Sequence, residues 1–204
     1  MPDLAVRART LLDLHTAPEI LVLANVWDVI SARVVADTEG VRALATASHS
    51  IAATFGYEDG ENIPLALHLE MVELIARAVD LPLSMDMEAG YGDPGETARR
   101  AIGLGVVGGN LEDQMKPLDD AVAAVEAVLR AGRDAGIDFV LNARTDTFVR
   151  AAAGALGHVR SSPAVVGVAT DAGSPCRSCR PRCGSSRSSA SPACRPGRSP
   201  SGWR

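Results

Sequence analysis

Five short apolar runs recur along the first 150 residues: EILVLAN (19–25), RALATAS (42–48), LPLSMDM (81–87), GVVGGNLE (105–112) and DFVLNAR (138–144). Each has the length of a strand, and stretches with helical spacing lie between them. In VWDVISARVVADTEG, residues Val29, Ile30, Ala32, Val34 and Val35 form a helix-like stripe that stops at Gly40. PLALHLEMVELIARAVD and DDAVAAVEAVLRAGRDAG are rich in Ala, Leu and Glu and read as stronger helices. DPGETARRAIGLG opens with Asp93 as N-cap and Pro94 at the first helical position. Strand and helix alternate five times, which predicts a parallel sheet.

That sheet is either open and doubly wound or closed as a (β/α)8 barrel, and the polar residues choose between them. They gather at the C-terminal end of nearly every run: Asn25 and Asp28; Ser48, His49 and Ser50; Asp86 and Glu88; Asn110, Glu112 and Asp113; Asn142, Arg144 and Asp146. A barrel builds its site from all such ends, whereas an open sheet uses only the strands beside its switch point. The first strand-to-helix turn also lacks a G-x-G-x-x-G phosphate fingerprint. The expected fold is therefore α/β, of the (β/α)8 TIM-barrel type. A full barrel takes about 250 residues and eight strands, and only about five β/α units are read here, so the barrel is expected to be incomplete.

Composition changes the picture after residue 150. Residues 1–150 hold 24 of the 25 acids and 12 of the 20 bases, whereas 151–204 hold one acid, Asp171, and eight arginines. All four cysteines lie in this tail, and no Leu, Ile, Met or Phe follows Asp171. Such a segment buries too little apolar surface to offset its ordering entropy. The chain thus divides into a partial barrel over 1–150 and a basic Ser/Arg/Pro/Cys-rich tail over 151–204, expected to be disordered. A G/C-rich gene read out of frame would give this composition, so a frameshift near residues 150–160 is a further expectation. Cys176-x-x-Cys179, with Cys183 and Cys194, resembles a zinc pattern, but no small fold surrounds it and zinc is not expected. The arginines come without interleaved aromatics, so no nucleic acid is expected as partner. With no apolar run of about 18 residues and no signal-peptide core, neither membrane nor export is expected, and a cytoplasmic location is the default.

The chemistry is concentrated in LSMDMEAGYGDP (83–94). On a strand, Asp86 and Glu88 point to one face while Met85 and Met87 point to the other. Glu112 shares a face with Asn110 at the next strand end. Three carboxylates converging at one rim would repel, and a hard cation held by oxygen ligands resolves this, which suggests Mg2+. Gly90 and Gly92 would let the backbone turn beside the ligand. Spacing leaves a second reading open, in which these acids are N-caps or pair with Arg99 or Arg144. His49 is a candidate acid/base group or a plain hydrogen-bonding residue; Tyr91 lines a pocket or covers the turn; His15 and His68 read as structural.

LANVWDVISARVVADTEGVRALATAS, MDMEAGYGD, NLEDQ and NARTDTF, in this order, resemble the isocitrate lyase/phosphoenolpyruvate mutase superfamily over about residues 11–150. The resemblance implies a β/α barrel, a homo-oligomer (usually a tetramer, often with exchanged helices), and Mg2+ or Mn2+. It implies a small 2-oxo acid or related carboxylate as substrate, with a C–C or P–C bond made or broken beside a metal-stabilised enolate. By the same resemblance Asp86 is the main metal ligand, and Glu88 and Glu112 hold metal-bound waters. Arg144 holds a substrate carboxylate, with Ser48 and Asn142 beside it, Asp28 near the barrel mouth and Asp59 in an acidic loop near the metal. The usual D-x-D reads Asp86-Met87-Glu88. The Cys-bearing loop of isocitrate and methylisocitrate lyases is absent, and residues 1–150 contain no Cys, so neither activity is expected. The alternative is a catalytically inactive, incomplete barrel from a frameshifted gene.

Overall fold

A computed structural model describes residues 3–146 and the backbone of 167–169. In chain order the elements are α1 (Leu4–Thr16), β1 (Ala24–Val26), α2 (Val29–Ala36), β2 (Leu44–Thr46), α3 (Ser48–Thr54) and α4 (Leu65–Ala78). They continue with β3 (Leu83–Asp86), α5 (Pro94–Gly103), β4 (Gly108–Glu112), α6 (Leu118–Asp134), β5 (Val140–Arg144) and β6 (Gly167–Ala169). The sheet runs in sequence order from β1 to β6, parallel from β1 through β5. This is the β/α-barrel order, one strand laid beside the last with a helical crossover between.

Local chemistry explains the elements. Asp93 caps α5 by accepting from Glu96 N–H at 3.0 Å, with Pro94 inside the first turn. Asp28 caps α2 in a reciprocal box with Ser31. In α4 the buried residues His68, Leu69, Val72, Ile75 and Ala76 recur at helical spacing and face the sheet. There they meet Leu83 and Met85 of β3, and one core continues through Ala98 and Ala101 of α5 to Val128 of α6.

A second, smaller core lies under the strand entries. Ala8, Leu11, Leu12 and Leu14 of α1 pack on Ala43, Val107 and Val140. Ala43 and Val107 immediately precede β2 and β4, so α1 crosses the N-terminal end of the sheet. The approach is close, since a Cβ on Gly108 would stand 2.7 Å from Leu11 Cδ2. The floor is thus closed by a helix, and the C-terminal rim is left open for a site.

Three features depart from the expectation. The strands are shorter than the apolar runs: β1 keeps only Ala24–Val26, while Ile20 and Val22 are exposed. Ser48, His49 and Ser50 open α3 rather than ending β2, because three small or polar residues after a strand serve equally as a helix start. Past residue 150 no strand was expected, yet β6 pairs antiparallel with β5. The expectations of a disordered tail, of a frameshift and on the four cysteines otherwise fall outside the described residues. Among the described residues no helix is long and apolar enough to cross a membrane.

Candidate active site

Register stacks the inward side chains in layers. Ser84 stands level with Ala45 and Gly108. One layer higher, Asp86 is level with Asn110, and Asn110 with Asn142; above them Glu112 is level with Arg144. Most of them border a cavity of about 400 Å³ whose lining includes Thr46, Ser84, Asp86, Asn110, Asn142 and Arg144, while Glu112 lies outside its lining.

Asp86 is the hub of this cavity. Its Oδ2 accepts from the Ser48 hydroxyl at 2.8 Å and Ser48 N–H at 3.3 Å; its Oδ1 accepts from Asn110 Nδ2 and Glu88 N–H, both at 3.3 Å. Its own N–H donates to Thr46 Oγ1 at 3.0 Å. Asn142 Nδ2 donates to Asn110 Oδ1 at 2.8 Å. The direction of this file is forced. A carboxylate only accepts, so Asn110 turns its amide nitrogen to Asp86 and its oxygen to Asn142. Asn142 Oδ1 is buried with no partner among the described residues.

Glu88 does not continue the β3 pleat. The strand ends at Asp86 and Glu88 has φ +50°, so its place beside Asp86 comes from the turn rather than from i, i+2 alternation. Met85 and Met87 are buried in the core, as alternation implied. All five described non-glycine residues with positive φ lie on loops: Glu61 after α3, Glu88 and Tyr91 after β3, Gln114 and Met115 after β4. Each costs about 1 kcal/mol or more, and such strain gathers at functional loops. Gly90, at φ +95°, has no substitute, because a Cβ there would lie 2.5 Å from the Pro94 ring.

The Glu88 carboxylate is held from both sides: Oε1 accepts from Tyr91 O–H at 2.6 Å and Oε2 from Glu61 N–H at 2.5 Å. Burial, ahead of the Asp59 and Asp86 charges, raises its pKa, while these donors pull it down. Glu61 returns the clamp, since its Oε1 accepts from Tyr91 N–H at 2.6 Å and Ala89 N–H at 3.1 Å. The 57–63 loop is thereby tied onto the rim. Asp59 rides on that loop, exposed, with its carbonyl accepting from Asn62 Nδ2 at 2.7 Å.

At the top layer, Arg144 is already engaged. Its Nη2 meets Glu112, and its Nε and Nη2 both lie 3.1 Å from Asp146 Oδ1. Burial lifts the Glu112 pKa to about 7 despite the Arg144 charge, with Asp146, Asp86 and Glu88 adding to the rise. The ion-pair reading thus holds for Glu112. Arg99 instead pairs with Glu96 on the surface of α5. Asp28 is engaged as the α2 cap, where the Ser31 hydrogen bonds hold its carboxyl below the usual range. His49 is exposed on α3.

Whether a metal fits can be asked of the donors. Among the described residues no three His, Cys, Asp or Glu side chains stand close enough to hold an ion together. A hard cation needs less, since Mg2+ is commonly bound by one or two carboxylates and keeps several waters. Asp86 and the flanking Glu88 and Glu112 supply only hard oxygen atoms and suit that mode. Sequence reasoning missed Glu61 and Thr46, which no local spacing singles out among the residues of their loop and strand.

Parallel strands under a polar C-terminal rim place the chain in the β/α-barrel class. The phosphoenolpyruvate phosphomutase family matches residues 11–161, and the chain belongs to that family. Enzymes of this kind act on C–C or P–C bonds and depend on a divalent metal. The chain is 30% identical over 146 residues to "Probable 2-methylisocitrate lyase 2" of Corynebacterium glutamicum, which covers 64% of this chain and 47% of that protein. A candidate phosphonomutase from Burkholderia cenocepacia J2315 superimposes with a TM-score of 0.68 at 46% identity, over 72% of this chain and 63% of the other. An oxaloacetate acetylhydrolase solved with its product oxalate gives 0.65 at 28% identity, over 72% and 55%. The chain therefore spans about half of the curated relative it matches.

Proposed function

We propose that the rim around Asp86 binds a small 2-oxo acid or related carboxylate together with Mg2+ or Mn2+, for lyase-type chemistry at a C–C or P–C bond. The observation that carries this is the convergence of Ser48, Asn110 and Glu88 on one strand-end carboxylate that lines the cavity. Asp86 would hold the cation directly, with Glu88 and Glu112 accepting from its waters. When bound, the cation supplies positive charge to a substrate carbonyl oxygen as an enolate develops.

The remaining roles belong to the chain. Arg144 offers a planar fork suited to a substrate carboxylate, and Glu112 and Asp146 set its orientation. Ser48 and Asn142 border the same space. Glu112, with a pKa near 7, can carry or release a proton at neutral pH. Asp59, exposed on the loop tied down by Glu61, would supply a second acid near the metal, as the family resemblance implies. Asp28 supports the rim through the α2 cap. Residues 1–150 hold no Cys, so isocitrate and methylisocitrate are not the proposed substrates, although a curated relative is named for the latter.

The test is Mn2+ titration of the wild type and Asp86→Ala, followed by release assays over a panel of 2-oxo acids and their parent acids. Equal Mn2+ binding by both proteins removes Asp86 from the site. The competing reading is an inactive chain, favoured by β6 running antiparallel to β5 where a barrel strand runs parallel. Metal binding without turnover on any member of the panel would support it.

A further inference from the structure

Behind Glu88 lies a file of hydrogen bonds that the reading above leaves unused. His68 on α4 is fully buried, and its Nδ1 lies 2.7 Å from Tyr91 Oη. Tyr91 Oη lies 2.6 Å from Glu88 Oε1. The two rings meet edge to face, with centroids 5.6 Å apart and planes at 71°.

The donor inventory sets the direction of both bonds. The Glu88 carboxylate only accepts, so the Tyr91 hydroxyl proton points to it. The hydroxyl oxygen must then accept from the ring, which places the imidazole proton on Nδ1. Nε2 becomes a bare acceptor, and it is indeed buried with no partner among the described residues. Buried polar atoms are rarely left so. The ring is therefore oriented for the bond to Tyr91 at the expense of its second nitrogen. With Glu61 N–H on Oε2, the carboxylate of Glu88 is gripped at both oxygens and keeps one lone-pair direction free on each.

Resting on the metal reading above, we propose that His68 and Tyr91 are positioning residues, which fix the Glu88 carboxylate so that it accepts from a water on the cation held at Asp86. Neither touches substrate; each acts through Glu88. Partners of this kind behind a metal site commonly set about 10–100-fold of its affinity.

The full chain serves for the test. Mn2+ is titrated into wild type, Tyr91→Phe, His68→Phe and the double variant, with metal-free thermal melts alongside. Tyr91→Phe is expected to weaken Mn2+ binding about tenfold or more, and His68→Phe by less. The double variant should be no weaker than Tyr91→Phe, because the two side chains act in series. A Tyr91→Phe protein that melts lower but binds Mn2+ like the wild type overturns the proposal alone. A wild type that binds no Mn2+ overturns the metal reading and this proposal with it. Should Tyr91→Phe fail to fold, long-range 15N–1H spectra of His68 in the wild type decide. A proton on Nδ1 supports the file, and a proton on Nε2 overturns it.

Discussion

Ser48 gives both its backbone N–H and its hydroxyl proton to a single oxygen of Asp86, 38 residues away in sequence. The first residue of α3 and the last of β3 are thereby locked together. The β2–α3 junction then shares one position with the strand that bears the hub carboxylate. Hydrogen bonds to a charged acceptor contribute about 1.5–3 kcal/mol. Ser48→Ala removes the hydroxyl and leaves the N–H in place. Urea unfolding of metal-free protein should show a loss of about 1–3 kcal/mol, with Mn2+ affinity falling as well. A loss below about 0.5 kcal/mol would mean that the backbone bond suffices.

His68 makes stability pH-dependent. Burial lowers its pKa from 6.5 to about 4, and the Asp86 charge opposes this only in part. Between these values the unfolded chain carries a proton on this ring that the folded chain lacks. Stability therefore is complete above pH 6.5 and is lost as pH falls from 6.5 towards 4, by roughly 3 kcal/mol in all. His68→Phe removes that slope. Melts of both proteins at pH 4, 5, 6 and 7 should diverge only at the acidic end; parallel curves would show that His68 is not buried neutral.

Arg144 is the cation that stands between Glu112 and Asp146. Arg144→Ala takes away the one influence that holds the Glu112 pKa down. The Glu112 carboxyl, followed by 13C NMR, should then titrate above the value of about 7 that it has in the wild type. Arg144→Lys should restore the charge but not the bidentate reach to Asp146. Any turnover should therefore stay low in both variants. A Glu112 titration that does not move in Arg144→Ala would show that the ion pair is absent in solution.

The alternation of strand and helix was legible because its signal is local: an apolar run next to an amphipathic stretch needs no knowledge of the rest of the chain. The Asp93 cap and the buried Met85 and Met87 were legible for the same reason. What was not legible depends on distance. Glu61, rather than Glu58 or Asp59, reaches the rim because a left-handed backbone aims it at residues 27 to 30 positions ahead. His68 looked like one more buried face of α4, and only the fold brings Tyr91 to it. Likewise α1 carries no sign in its period that it closes the floor beneath Val107 and Val140.

Association between copies of the chain is the last expectation, and the outer face of α2 carries it. Ile30 and Val34 lie one turn apart and are 74% and 65% exposed, with Val22 close by in sequence at 72%. A monomer leaves this apolar strip wet, and such strips mark association surfaces. Next to it, β1 pairs only with β2 among the described residues, and an unpaired parallel edge invites further contact. The family resemblance leads to the same expectation, a homo-oligomer. Light scattering on the eluted wild type should therefore give a mass well above the 21.2 kDa of one chain. Ile30→Glu combined with Val34→Glu should shift the population towards monomer. Because both side chains are exposed, the change should alter the metal-free unfolding free energy of the monomer by no more than about 1 kcal/mol. A wild type that elutes as a monodisperse monomer and melts in one sharp transition would show that this strip has no partner in another copy.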